Sequence, residues 1–298
     1  MNEPTALPTT LFLERAGGRL SYDVTGSGPL VVAAPGLGDL RASYRFVVPD
    51  LVAAGYRVAT VDLRGHGSSS TGWSDYSETA VAEDLIALVE HLAAPGARAV
   101  LIGNSYSGGA AVVAAASHPA LVAGLVLSGA FVRDVPQTAL QKASTWLVAR
   151  TPFGRRLWNA YVPSLYPGNK PADFPARHAA LKTNLAEPGR FAAVAAMATG
   201  SHATAEAALP QVTAPTLVVM GTKDPDFPDP GAEAQLTADR LAGTADVVLV
   251  DGAGHYPHAQ RADVVSPAIT SFLHRVLPTS HDRQTSHSST EGATRRGR

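Results

Sequence analysis

The chain of 298 residues contains no cysteine. That absence excludes disulfide bridges, a thiol nucleophile and cysteine-held metal sites together. An excess of charge of either sign is missing too. The 24 Lys and Arg against 25 Asp and Glu leave a formal net charge of −1, which offers no field for nucleic acid or an anionic membrane surface. No apolar run reaches the roughly 20 residues needed to span a bilayer. Met1 to Thr10 lacks a basic start followed by an apolar core, so no signal peptide is expected and a cytoplasmic location is the default. Aromatic residues make up only 6% of the chain, and of its three tryptophans Trp146 and Trp158 share one stretch while Trp73 lies apart. The histidines are scattered, with no pair in a metal-site context, so neither a metal nor a cofactor is expected.

What is present is apolar and periodic. A hydrophobic content of 45% suffices for a substantial core, read as one domain with an insertion. Short strand-like runs, Leu11 to Arg15 and Arg19 to Thr25, flank Gly17-Gly18 as a hairpin. Buried strands are expected at Leu30 to Ala34, Tyr56 to Val61, around Ala99 to Ile102, Leu125 to Leu127, Thr216 to Met220 and Asp246 to Val250. Helices are expected between them at Ser43 to Ala54, Ser77 to Leu92, after Ser105, at Gly231 to Leu241 and at Val264 to Val276. Strands alternating with helices imply an α/β fold, a mostly parallel sheet covered on both faces. Residues 133–209 break the pattern with prolines, Ala-rich helical stretches and most of the large aromatics. They are read as a helical lid inserted after the sixth strand, with Trp146 and Trp158 as candidate lining of an apolar substrate pocket. The core is then 1–132 and 210–278. The polar, Ser/Thr-rich 279–298 is expected to be a disordered tail.

One stretch concentrates chemistry: the run from Ala99 to Gly103 tightens into Asn104-Ser105-Tyr106-Ser107-Gly108-Gly109 and continues as an Ala/Val helix. A serine hydroxyl attacks a carbonyl only if a base takes its proton and if it projects from the backbone, and a strand–turn–helix corner with small neighbours meets both needs. A serine at a helix start is also an ordinary N-cap, and Ser107 is a rival nucleophile two residues deeper in the helix. The Tyr106 amide at the helix N-terminus would face an oxyanion formed at Ser105. Leu37, in the Pro35-Gly36-Leu37-Gly38 loop after a strand, is the candidate for the second amide donor.

Two further positions complete the pattern. Asp224 and Asp226, and less so Asp229, follow a buried strand, where a carboxylate can hold a histidine in the right tautomer. His255 follows the last strand after the small residues Gly252-Ala253-Gly254, and His258 behind Pro257 is the weaker base. His66, between Gly65 and Gly67, reads as a hydrogen-bonded structural histidine. Ser105, Asp224 and His255 thus occur in the chain order of an α/β-hydrolase triad, each just after an expected strand.

With Asp62-Leu63-Arg64-Gly65-His66-Gly67-Ser68, the elbow and Gly252-Ala253-Gly254-His255 together, residues 10 to 277 resemble the lid-bearing, serine-nucleophile esterase-like group of the α/β-hydrolase superfamily. The resemblance implies Ser105 as nucleophile, His255 as base and Asp224 as its orienting acid. It also implies hydrolysis of a small or medium apolar carboxylic ester or lactone through an acyl-enzyme. Pro35 stands where a histidine is frequent and Ser107 where glycine is usual. Perhydrolase or haloperoxidase-type, carbon–carbon bond hydrolase and acyltransferase chemistry share such a triad, and a non-turnover ligand-binding or signalling protein could retain it. The expected partner is a small molecule.

Overall fold

The computed structural model describes residues 9–136 and 139–279. Eight strands form one sheet in the order β1-β2-β4-β3-β5-β6-β7-β8. β1 (Leu11–Arg15) and β2 (Gly18–Thr25) pair antiparallel as the expected hairpin, and β2 runs antiparallel to β4 (Arg57–Val61). From there every pairing is parallel, through β3 (Leu30–Ala34), β5 (Ala99–Asn104), β6 (Val122–Ser128), β7 (Thr216–Gly221) and β8 (Ala245–Val250).

The central strands are buried along their whole length because both faces are covered. Val31, Val100, Ile102, Val126 and Val219 point to the face packed by α1 (Val47–Ala53) and the C-terminal helix Ala262–Val276. The alternate residues Val32, Ala34, Leu101, Leu125 and Leu127 point to the other face, under α2 (Glu78–Leu92) and α3 (Tyr106–Ser117). The period-2 alternation thus divides one apolar strand between two cores. α2 begins where expected: the Ser77 hydroxyl caps it by accepting from the Ala80 amide at 3.2 Å.

Among the described residues no strand lies between β6 and β7. The chain runs there through α4 (Ala139–Arg150), α5 (Gly154–Tyr161), α6 (Phe174–Ala186), α7 (Arg190–Ala198) and α8 (Ala203–Ala208). After β7 follow α9 (Pro230–Arg240), α10 (Pro257–Gln260) and α11, the Ala262–Val276 helix named above.

Two expectations need correction. The helix expected over Ser43 to Ala54 is a 3₁₀ turn, Arg41–Tyr44, followed by α1, because Ser43 and Tyr44 turn inward to bond His258 and Ala34. Thr279, placed in the disordered tail by composition, is buried next to Gly55, and the rest of that stretch lies outside the described residues.

Candidate active site

Ser105 occupies the corner between β5 and α3 with φ 55° and ψ −124°, the one described non-glycine residue at positive φ. Holding an L-residue there costs about 1–3 kcal/mol, which the surroundings must offset. They do so through the backbone: the Ser105 amide donates to Ser128 O at 3.1 Å, while its carbonyl accepts from Gly108 at 3.0 Å and Phe131 at 3.2 Å. Gly103 is required by close approach, since a Cβ there would lie 2.5 Å from Ser107 O. Gly36 is required for the same reason, its Cβ position being 2.8 Å from Ser105 Cβ. The loop after β3 therefore crosses directly over the serine.

Ser107 has a different task from Ser105. Its buried hydroxyl accepts from the Asn104 amide at 2.9 Å and faces the carbonyls of Ala34 at 2.6 Å and Asn104 at 2.9 Å. It ties the end of β5 to the end of β3. Asn104, not singled out in the sequence, bonds outward from the corner: its Nδ2 donates to Ser128 O at 2.8 Å and to His255 O at 3.1 Å. Those two bonds bring the Ser105 corner and the loop after β8 to one edge of the sheet.

His255 is buried, and its Nδ1 donates to Asp224 Oδ2 at 2.8 Å. Asp226 Oδ2 lies 3.5 Å from the same nitrogen. Burial pulls the imidazole pKa down, but the negative charges of Asp224 and then Asp226, with the Asp224 hydrogen bond, outweigh it and raise the value to about 9. The three ligand atoms of Asp224, Asp226 and His255 lie within 4.8 Å of one another. At 2.8 Å Nδ1 and Asp224 Oδ2 stand at hydrogen-bond distance, and these three groups are also the described ones whose atoms lie close enough together to hold a cation.

The loop after β3 is pinned by His66. Its Nε2 accepts from the Gly38 amide at 2.8 Å while Nδ1 donates to Arg64 O at 3.0 Å, which fixes the tautomer. Burial pushes its pKa down, keeping the ring neutral as this pairing requires. Among the described residues neither the Leu37 nor the Tyr106 amide is engaged by an acceptor. Both border the serine, Tyr106 as its neighbour and the first residue of α3, and Leu37 next to Gly36. His258 belongs to the scaffold: it stacks on Tyr44 at 4.7 Å, and its nitrogens contact Ser43 Oγ at 2.9 Å and Ser128 Oγ at 3.3 Å. Burial lowers its pKa to about 3.

Helix α5 meets the site from the inserted segment. The Trp158 indole lies against the backbone of Gly38, 2.6 Å from where a Cβ would stand, and its Nε1 is buried without a hydrogen-bond partner. Tyr161, one turn on, donates its hydroxyl hydrogen bond to Asp226 Oδ1. Phe131 sets its ring 6.0 Å from that of His255. The structure does not bring Trp146 to this cluster: on α4 it is 60% exposed, because α4 touches α5 and α7 rather than the sheet edge. Asp229 instead caps α9, accepting from the Ala232 amide at 2.9 Å.

Sequence and structure comparisons place the chain among known folds and families. A 2-(acetamidomethylene)succinate hydrolase from Mesorhizobium japonicum is 30% identical over 271 residues, covering 86% of this chain and 92% of that protein. A thermophilic esterase from Thermogutta terrifontis superposes with TM-score 0.73 at 27% identity, over 91% of this chain and 99% of its own. A bromoperoxidase from Bacillus anthracis superposes with TM-score 0.77 at 22% identity, over 89% of this chain and 99% of its own, a likeness of fold alone. Residues 31–268 match the profile of the alpha/beta hydrolase family, and the chain belongs to that family.

Proposed function

We propose that the protein is a serine hydrolase of small or medium apolar carboxylic esters or lactones. The observation that carries this reading is a strained, backbone-held Ser105 whose neighbour Asn104 bonds the carbonyl of His255, itself buried with Nδ1 bound to Asp224 at 2.8 Å. His255 Nε2 takes the Ser105 proton as Oγ attacks the acyl carbon, and the imidazolium that forms faces a carboxylate. The unengaged amides of Leu37 and Tyr106 receive the oxyanion, with the N-terminal dipole of α3 aligned behind it. His255 returns its proton to the leaving alkoxide, then activates water to release the acid from Ser105.

Residues 133–209 act as the lid, and α5 is its working face. Phe131, Trp158 and Leu37 supply apolar surface. The unpaired Trp158 Nε1–H supplies one donor, suited to an ester or lactone oxygen. Ser105 is only 6% exposed and His255 2%, so α5 must shift for substrate to enter.

A fluorophosphonate labels activated serines without any guess about substrate. A single adduct on Ser105, absent in His255→Ala, is expected, followed by turnover on an ester and lactone panel. No adduct, or one on Ser107, would overturn the assignment.

A further inference from the structure

The turn after β7 aims two carboxylates at one imidazole. Asp224 Oδ2 accepts a hydrogen bond from Nδ1–H at 2.8 Å, whereas Asp226 Oδ2 stands 3.5 Å from the same nitrogen. One N–H carries one proton, so Asp226 acts at that range as charge rather than as a duplicate acceptor. The two acids are locked together: Asp224 Oδ1 accepts the Asp226 amide at 3.0 Å, leaving Asp224 Oδ2 for the histidine.

The remaining oxygen of Asp226 reaches out of the core to Tyr161 on α5, 65 residues away in sequence. Burial pushes the Asp226 carboxyl up, His255 pulls it down, the Asp224 charge pushes it up again, and the Tyr161 hydroxyl pulls it down. The tyrosine therefore favours the ionised form of a carboxyl that would otherwise lean toward taking a proton.

Resting on the reading of His255 as the base, we propose that Asp226 is a second charge partner of the His255 imidazolium, kept ionised by the Tyr161 hydroxyl, so that docking of α5 tunes the base. No proton passes to Asp226. The proton moves from Ser105 Oγ to His255 Nε2 and onward to the leaving group, while Asp226 lowers the energy of the charge left on the ring. Asp226 and Tyr161 are positioning residues in this scheme, and closure of α5 and activation of the base become one event.

The other ionisable groups facing His255 are few. Tyr256 lies edge-on with ring centres 5.3 Å apart, and His258 of α10 is held neutral by burial. Asp39, in the loop after β3, adds a negative charge and is itself paired with Arg177 of α6 at 2.6 Å. None of these changes in the variants below.

The test is the rate of fluorophosphonate labelling of Ser105 from pH 5 to 10 in the wild type, Asp226→Asn, Asp226→Glu and Tyr161→Phe. Labelling needs neutral His255, so its acid limb reports that group directly. Asp226→Asn is expected to move the limb down by about one pH unit, the scale for removing an opposite charge within a few ångströms. Tyr161→Phe is expected to move it the same way by less, and Asp226→Glu to restore it in part. Acid limbs unchanged in both Asp226→Asn and Tyr161→Phe would make Asp226 a merely structural residue and overturn the proposal. Should Asp226→Asn fail to fold by thermal melting, Tyr161→Phe, which removes one oxygen from a half-exposed ring, decides alone. Failure of the wild type itself to label at Ser105 would instead overturn the serine reading on which this rests.

Discussion

The corner at β5–α3 and the inserted segment 139–208 are held in opposite ways. At the corner every residue from Ala99 to Ala115 is buried, and backbone bonds plus two polar side chains, Asn104 and Ser107, fix it from several strands at once. The inserted segment docks through separate patches: Val162, Leu181, Leu185 and Val194 against Leu37 and Leu40, Leu165 and Tyr166 against Tyr256, Met197, Ala205 and Ala208 in the main core, and polar links such as Arg177 to Asp39. It leaves Trp146, Leu147, Phe153 and Leu157 exposed. Within the inserted segment it is α5, with Gly154 its one buried residue, that contrasts most with the corner; in the proposed function, fixed chemistry sits on the sheet and access falls to this loosely held helix.

The largest effects should come from the corner and its histidine. Ser105→Ala is expected to lower kcat at least about 10⁴-fold on any accepted ester with the fold retained, as steady-state assays and circular dichroism would show. Activity surviving that change would move the nucleophile elsewhere. Asp224→Asn should also cost about 10⁴-fold by releasing the tautomer of His255.

The pH dependence sharpens the contrast. Because folding raises the His255 pKa to about 9, kcat/KM should climb from neutral pH toward that value as the base loses its proton. The same shift contributes stability that is full below the unfolded value of about 6.5 and is lost as pH rises through about 9, so Tm should fall across that window. A flat Tm there would mean that the histidine is not held as described.

A smaller effect is expected at Ser107. Ser107→Ala leaves the buried Asn104 amide without an acceptor and should destabilise the fold by about 1–3 kcal/mol in denaturant unfolding. Ser107→Gly tests whether the hydroxyl or only the small size matters there.

In the inserted segment the expected changes concern selectivity. Trp158→Phe keeps an aromatic ring but removes the unpaired donor, so KM should rise for esters and lactones with little change in the labelling rate of Ser105. Trp146→Ala, at an exposed position, should alter stability by no more than about 0.5 kcal/mol and leave activity intact. A strong loss in Trp146→Ala would erase the distinction between the two tryptophans.

The sheet, the corner and the order Ser105, Asp224, His255 were legible because their signals are local. Apolar runs of strand length, small residues where backbones touch and a charged or nucleophilic residue just past a strand can all be read along the chain. His66 as a structural histidine was legible for the same reason, between two turn glycines. Asn104 bonding to His255 O, Ser107 to Ala34 O and His66 to the Gly38 amide join residues far apart in sequence, and nothing in the sequence signals them.

By itself the sequence determined the α/β architecture and the residue types at each strand end, since periodicity and turn chemistry act over a few residues. Only the tertiary structure decided that Asp224 rather than Asp226 accepts the hydrogen bond of the histidine Nδ1–H, that Asp226 turns to Tyr161, and that Trp158 rather than Trp146 meets the site. Those choices depend on how helices dock across tens of residues, through side-chain directions that composition and spacing do not encode.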